Sequence, residues 1–237
     1  MHRSRPSTRG FTVIELLVVM GVIAVLASIL LPAISAAIRN SRAAICTANE
    51  HVLLSAMMAY SASNDGFLPN PGSAWVMDGV GVADFNIGTI WPYVDPAAQT
   101  RAQVLHCPAD AFEQLPTYGG GDYFCYRNFS YSLSIAVFTP DWTYTMQLRQ
   151  VKHPDAHVWL YEEFAPNDQY CFGPGDLDDW LTGRHGPYGA IEHRSSYNNS
   201  AWRTSGRGNV GYFDGHVGIM SVNGYFANSY HFGPLTQ

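Results

Sequence analysis

The residues best placed to do chemistry stand near the front of the chain. Gly10-Phe11-Thr-Val-Ile-Glu15-Leu-Leu sets a single carboxylate close to the start of an oily run. A charge inside a membrane-length apolar segment costs on the order of a few kcal/mol. Glu15 therefore needs a cationic partner, and the best source is a new α-amine made by cutting the peptide bond between Gly10 and Phe11. Ahead of that bond lies a short basic leader, residues 1–10, carrying Arg3, Arg5 and Arg9.

Other side chains offer weaker chemistry. His185, Glu192, His193, Asp214 and His216 could be drawn as a metal or hydrolytic site, but the chain has neither an HExxH nor a GxSxG pattern to support one. Asp214 also has a plain duty as a turn residue, with His216 as its strand neighbour, so the expectation is a protein that is not an enzyme. Asp176, Asp178 and Asp179 in Gly-Asp-Leu-Asp-Asp-Trp put hard oxygen ligands on a loop, the donor type Ca²⁺ takes. The twelve-residue EF-hand pattern is missing, and solvated loop acids are the simpler reading, so the expected cofactor is none, with Ca²⁺ the one candidate. Four cysteines (Cys46, Cys107, Cys125, Cys171) contain no CxxC pair and show no zinc spacing. An exported domain favours disulfides. Cys107–Cys125, which would close a short Gly-rich loop, is the expected bridge among the three full connectivities, with Cys46 left free on a helix.

These residues need elements to hold them. Phe11 to Ile38 is 28 residues long with Glu15 its only charge. As a helix it covers roughly 42 Å, enough for the ~30 Å hydrocarbon core of a bilayer. Pro32 is expected to kink it, and Arg39 and Arg42 to close the span. The run exceeds the apolar core of a cleaved secretory signal. It is apolar all round rather than striped like a buried helix of a soluble domain, and a plain uncleaved anchor leaves Glu15 unpaired. An amphipathic continuation is predicted over 39–63, with Ile45, Val52, Ala56, Ala59 and Tyr60 as its inward stripe. The whole helix of about fifty residues would form a rod of ~75 Å. Asn64-Asp65-Gly66 ends it, with Gly66 free to take positive φ and Pro69 and Pro71 preventing resumption.

Residues 64–237 read as a globular, β-rich head. Phe129 to Ile135 alternates and predicts a half-buried strand, and Ala156 to Phe164 a second. Asn209–Phe213 and His216–Val222 flank Asp214-Gly215, which suits a two-residue type I′ hairpin turn. Pro116–Tyr126 and Ala165–Ser205 are loops too long to be mere connectors. The fold class is thus α+β: a long N-terminal helix, membrane-spanning in its first half, packed on an antiparallel sheet.

Composition narrows the partners. Apolar residues make up 47% and charged residues 14%, which excludes a disordered chain. The formal charge is −6, and loss of the leader would leave 10 basic against 19 acidic residues, a sign that argues against nucleic acid. The 14 Tyr, 12 Phe and 6 Trp are enough for a glycan-binding face, although aromatics more often build cores and sheet faces.

Gly-Phe-Thr-Val-Ile-Glu-Leu-Leu-Val-Val, with its basic leader and Pro32, closely resembles the cleavage and methylation signal of type IV prepilins and type II secretion pseudopilins. The resemblance covers about residues 3–40. It implies cleavage between Gly10 and Phe11 by a prepilin peptidase, methylation of the Phe11 amine, and helix stacking in which Glu15 of one subunit meets the Phe11 amine of its neighbour. The implied partners are the peptidase, identical or related pilin subunits, an inner-membrane assembly platform and membrane lipid. The implied location is the inner membrane, with the head outside the cytoplasm until a filament assembles. More loosely, Cys107-Pro108-Ala109-Asp110 and Asn209 to Val217 resemble a prepilin-type subgroup with a Cys-Pro segment and a terminal Asp-Gly-His-Val, preceded by a histidine that here would be His193, farther from Asp214 than the subgroup sets it. A membrane-tethered adhesin or binding module using the same signal without bulk polymerisation is the alternative.

Overall fold

The computed structural model describes residues 11–69, 89–94, 101–110, 130–134, 146–164, 170–171, 180–186 and 205–227. The chain divides into two compact units, Met1–Ser41 and Arg42–Gln237. Helix α1, Val13–Ser63, contributes to both.

In the first unit α1 is long and apolar enough to cross a membrane, and none of its membrane-length apolar window is buried. The helix continues through Pro32, whose ring removes the N–H that would reach back to Ser28. Ser28 and Ser35 donate their hydroxyls to the carbonyls of Val25 and Leu31, which keeps both polar groups satisfied within the helix itself.

In the second unit the rest of α1 covers one face of a six-stranded sheet. The strands are β1 Tyr131–Ser134, β2 Val158–Phe164, β3 Tyr170–Cys171, β4 Trp180–Leu181, β5 Arg207–Tyr212 and β6 Val217–Ser221. Their order is β3-β1-β2-β5-β6, with β4 paired to the end of β2. The four strands β1, β2, β5 and β6 are antiparallel, while β3 runs parallel to β1. Two short α-helices, α2 Arg101–Val104 and α3 Val222–Ala227, and two single-turn 3-10 helices, Trp91–Tyr93 and Leu148–Gln150, complete the described elements. This is the α+β, pilin-like arrangement expected.

The helical stripe is rotated from the expected one. The buried residues are Cys46, Asn49, Glu50, Leu53, Leu54, Ala56, Met57 and Ser61, whereas Ile45 is exposed. Apolar periodicity missed this face because three of its members, Asn49, Glu50 and Ser61, are polar. Asn49 is satisfied by donating to the carbonyls of Gln103 and His106. The helix stops as expected at Asn64-Asp65-Gly66, where Asp65 and Gly66 take φ of 52° and 81° and the Gly66 N–H donates to the Ser61 carbonyl.

Strand β1 is buried along its whole length rather than half-buried, because the sheet is covered on both faces. One core joins Leu53, Leu54 and Met57 of α1 to Trp91, Leu133, Trp159, Leu160 and Phe213, with Trp159 and Phe213 stacked at 4.8 Å. A second joins Val158, Tyr161, Leu181, Val210 and Tyr225 of α3. At Gly211 of β5 an added Cβ would lie 2.6 Å from Leu54 Cδ1, so glycine allows the helix and strand to touch.

The hairpin forms, but with a different turn. Gly211 pairs with Val217, the Tyr212 N–H donates to the His216 carbonyl, and the Gly215 N–H donates to the Tyr212 carbonyl. Only Gly215 has positive φ, 92°, whereas type I′ needs two such residues. The connection is a three-residue loop: a type I turn followed by a left-handed glycine. Asp214 therefore serves as an ordinary turn residue with its carboxylate turned to His216.

Candidate functional site

At the start of α1 the sequence Thr12-Val-Ile-Glu15 folds into a capping box. The Thr12 N–H and hydroxyl donate to Glu15 Oε2 at 2.8 and 2.9 Å, and the Glu15 N–H donates back to the Thr12 hydroxyl at 3.3 Å. Thr-x-x-Glu is the sequence pattern of such a box, and it gives Glu15 a partner within its own helix. Phe11, 76% exposed, lies in non-helical backbone just before the first turn. Phe11 and Thr12 are both non-helical, and the helix begins at Val13. An acid in the first turn also faces the positive end of the helix dipole, where it is favoured.

A second constellation lies inside the head. Cys107-Pro108-Ala109-Asp110 forms a turn closed by the Asp110 N–H on the Cys107 carbonyl. This aims the Asp110 carboxylate at Arg184, 3.1 Å away, and at the Ser130 hydroxyl, which donates to it at 2.9 Å while accepting from the Cys107 N–H. Arg184 also donates to the Glu163 carbonyl. Glu163 in turn accepts the Ser132 hydroxyl. Beside them His185 Nε2 lies 2.7 Å from Glu162 Oε2 and 3.7 Å from Cys107 Sγ, and the Asn209 N–H donates to the same Glu162 oxygen. Glu162 stands opposite Tyr131 across β1 and β2, and the Tyr131 hydroxyl donates to the Cys46 carbonyl on α1. All of these groups are buried or nearly so.

Burial sets the electrostatics. Glu50, one turn beyond Cys46 on α1, has no exposed surface and neither carboxylate oxygen has a hydrogen-bond partner. Desolvation, reinforced by the Glu162 charge, pushes its carboxyl well above the usual carboxylate range. Desolvation and then the charges of Glu162 and Glu50 push the Tyr131 phenol up as well. For His106 desolvation wins over the nearby Asp110 charge and lowers the imidazole below its ordinary value.

Cys107 is bonded to Cys46, not to Cys125. The Cα atoms of Cys46 and Cys107 are 4.9 Å apart because α1 lies directly over the turn that carries Cys107. The bridge spans 61 residues of sequence, and closing so long a loop stabilises the fold by about 4 kcal/mol in the chain-entropy account. Cys46 is accordingly not a free thiol. Cys125 lies outside the described residues.

The histidines expected as a set are divided. His185 is drawn into the buried cluster, and its N–H donates to the Arg207 carbonyl at the start of β5. Asp214 and His216 pair with each other, Oδ1 to Nδ1 at 2.6 Å, at the exposed hairpin turn. Partial burial raises the Asp214 carboxyl, but the hydrogen bonds from His216 outweigh it and leave the carboxyl below its ordinary value. Glu192 and His193 lie outside the described residues, as do Gly10 and the Asp176, Asp178 and Asp179 loop considered for Ca²⁺. What sequence reading missed is that the fold brings His185 beside Asn209, the two meeting at the Glu162 carboxylate. The residues between Gly186 and Ser205 separate the two in sequence, and the 2.9 Å bond from His185 to Arg207 closes that gap in space.

The family described as a prokaryotic N-terminal methylation motif matches residues 5–31 of the chain. No curated protein and no solved structure matches it. That motif stands at the head of a membrane-length apolar helix with an α+β domain after it, an arrangement similar to that of type IV pilins and pseudopilins.

Proposed function

We propose that the chain is a structural subunit of a type IV pilus-like or type II secretion pseudopilus filament, and not an enzyme. The observation that carries this reading is the methylation motif over residues 5–31, which contains Gly10, Phe11 and Glu15. A prepilin peptidase cuts between Gly10 and Phe11 on the cytoplasmic side and methylates the new amine, which stays cationic. The mature subunit waits in the inner membrane with its head outside the cytoplasm, until an assembly platform draws it into the filament among identical or related pilin subunits.

A cation at the N-terminus of a helix is disfavoured by the helix dipole, and a carboxylate in lipid is costly on its own. Stacking one subunit against the next lets Glu15 answer the Phe11 amine of its neighbour, which resolves both problems and fixes the axial register between apolar rods. The exposed apolar residues from Phe11 to Ile38 are covered by lipid in storage and by other helices after assembly.

Intact-mass measurement and N-terminal sequencing of the chain isolated from membranes test this reading. The expected product begins at N-methylated Phe11, and recovery of the uncut precursor as the working form overturns it. Quantifying the chain in sheared fibres separates a bulk subunit from a tethered binding module, which would be present at only a few copies per fibre.

A further inference from the structure

Four potential ligand atoms meet inside the head. Cys46 Sγ, Cys107 Sγ, a Glu162 carboxylate oxygen and His185 Nε2 all lie within 4.8 Å of one another. They come from α1, the turn before β1, the middle of β2 and the segment after β4, so no spacing in the sequence announces them. The number, softness and mutual closeness of the donors suit one metal in particular. Two thiolates exclude Ca²⁺ and Mg²⁺, a carboxylate disfavours Cu(I), and two sulfurs, one imidazole and one carboxylate are a tetrahedral Zn²⁺ set.

Two further observations point the same way. Glu50, one helical turn from Cys46, is a fully buried carboxyl with both oxygens unpartnered, and its charge and that of Glu162 oppose each other. The ion pair of Arg184 is with Asp110. Burial and the neighbouring Glu162 both oppose ionisation of Glu50, and a divalent cation beside Glu162 relieves that opposition. The ligands are also held in place from behind, Glu162 by the Asn209 N–H and the Cys107 backbone by Ser130, as metal ligands generally are.

In the structure the two sulfurs are joined as a disulfide, and in that state they are not ligands. We propose that disulfide and zinc are alternative ties between α1 and the sheet: the oxidised head carries the Cys46–Cys107 bond, and the reduced head binds one Zn²⁺ through Cys46, Cys107, His185 and Glu162. The exchange balances with a dithiol as reductant. The dithiol gives two electrons and two protons to the S–S bond and becomes a disulfide itself. Zn²⁺ then displaces the two thiol protons into solvent and takes neutral His185 and ionised Glu162 as its remaining ligands.

The test uses the full chain in detergent, with Cys125→Ser and Cys171→Ser so that only two thiols can be released. It is reduced anaerobically with a phosphine, given zinc sulfate, desalted, and assayed for metal and for fold by circular dichroism. The reduced chain should retain about one zinc and the oxidised chain none, by the four-ligand stoichiometry of such sites. Cobalt in place of zinc should give thiolate charge-transfer bands and the intense visible bands of a tetrahedral site. His185→Gln and Glu162→Gln should each weaken zinc binding on the order of a hundredfold while leaving the oxidised fold intact. A folded, reduced chain that takes up no zinc overturns the proposal, as does uptake that is unchanged in both variants or equal in the oxidised chain. Should reduction alone unfold the head, zinc must restore the folded spectrum, and failure to do so also overturns it.

Discussion

Between Phe11 and Ile38 the chain keeps its oily side chains outside: Phe11 is 76% exposed, Ile29 68% and Leu31 64%. In the head, charged side chains are kept inside: Glu50, Asp110, Glu162, Glu163 and Arg184 are all buried. The first region leaves apolar surface that only other molecules can cover. The second pairs its charges internally, Asp110 with Arg184 and Glu162 with His185. The difference teaches where each residue's effect should be read: assembly for the first region, stability for the second.

The largest effect should come from Glu15→Ala. The variant should still be cut and methylated, and the unfolding of the head should not change, but sheared filaments should contain at least about tenfold less of it, the consequence of losing roughly 1.4 kcal/mol or more at each contact. Normal filament yield would break the comparison at its root. Within the head the largest change is Arg184→Met, which takes away the cation that answers the buried Asp110 carboxylate and should cost about 3–5 kcal/mol in denaturant unfolding. Filament yield should then fall only as far as the folded fraction does.

Cys107→Ser comes next. Under oxidising conditions it should lower stability by about 4 kcal/mol, while Cys125→Ser stays close to the parent in the same thermal melt. A comparable loss in both variants, with Cys46→Ser close to the parent, would return the bridge to Cys107–Cys125.

Much of this was legible in the sequence, but unevenly. The helix, its end at Asn64-Asp65-Gly66, β2 and the hairpin follow from local patterns that one stretch of chain displays by itself. The motif at Gly10, Phe11 and Glu15 is likewise contiguous. The interior of the head was not legible. Cys46 and Cys107 are separated by 61 residues, and the Cys107–His185 and Glu162–His185 contacts by 78 and 23. Such pairings depend on the fold, and no local period encodes them. Asn49 and Glu50 misled the periodicity because polar residues are normally counted as outward-facing. The type I′ expectation failed for a finer reason: Asp-Gly suits several loops, and the strand register, not the dipeptide, selects among them.

A smaller effect tests the buried acids. With its folded value raised, Glu50 keeps its proton at pH values where the unfolded chain, near the ordinary 4.5, has lost it. Folding then takes up a proton, so the stability it contributes is full below the unfolded value and is lost as pH rises towards the folded one. Glu50→Gln holds a neutral group there at every pH. It should be more stable than the parent by about 1–2 kcal/mol near pH 8 and indistinguishable near pH 4, as read from urea unfolding across that range. A parallel pair of pH curves would show that Glu50 is ionised and compensated in the fold.

The smallest effect sharpens the role of Glu15. Two duties compete for its carboxylate: the capping box to Thr12 within its own helix, which the structure displays, and the amine of a neighbouring subunit, which the filament reading requires. Thr12→Ala removes the hydroxyl that serves Glu15 but leaves the acid in place. It should cost about 1 kcal/mol of stability at the helix start, seen as faster amide exchange over the first turn, with filament yield close to the parent's. If yield instead collapses as far as in Glu15→Ala, the acid matters because it holds its own helix together. Register between subunits must then come from elsewhere along the apolar face.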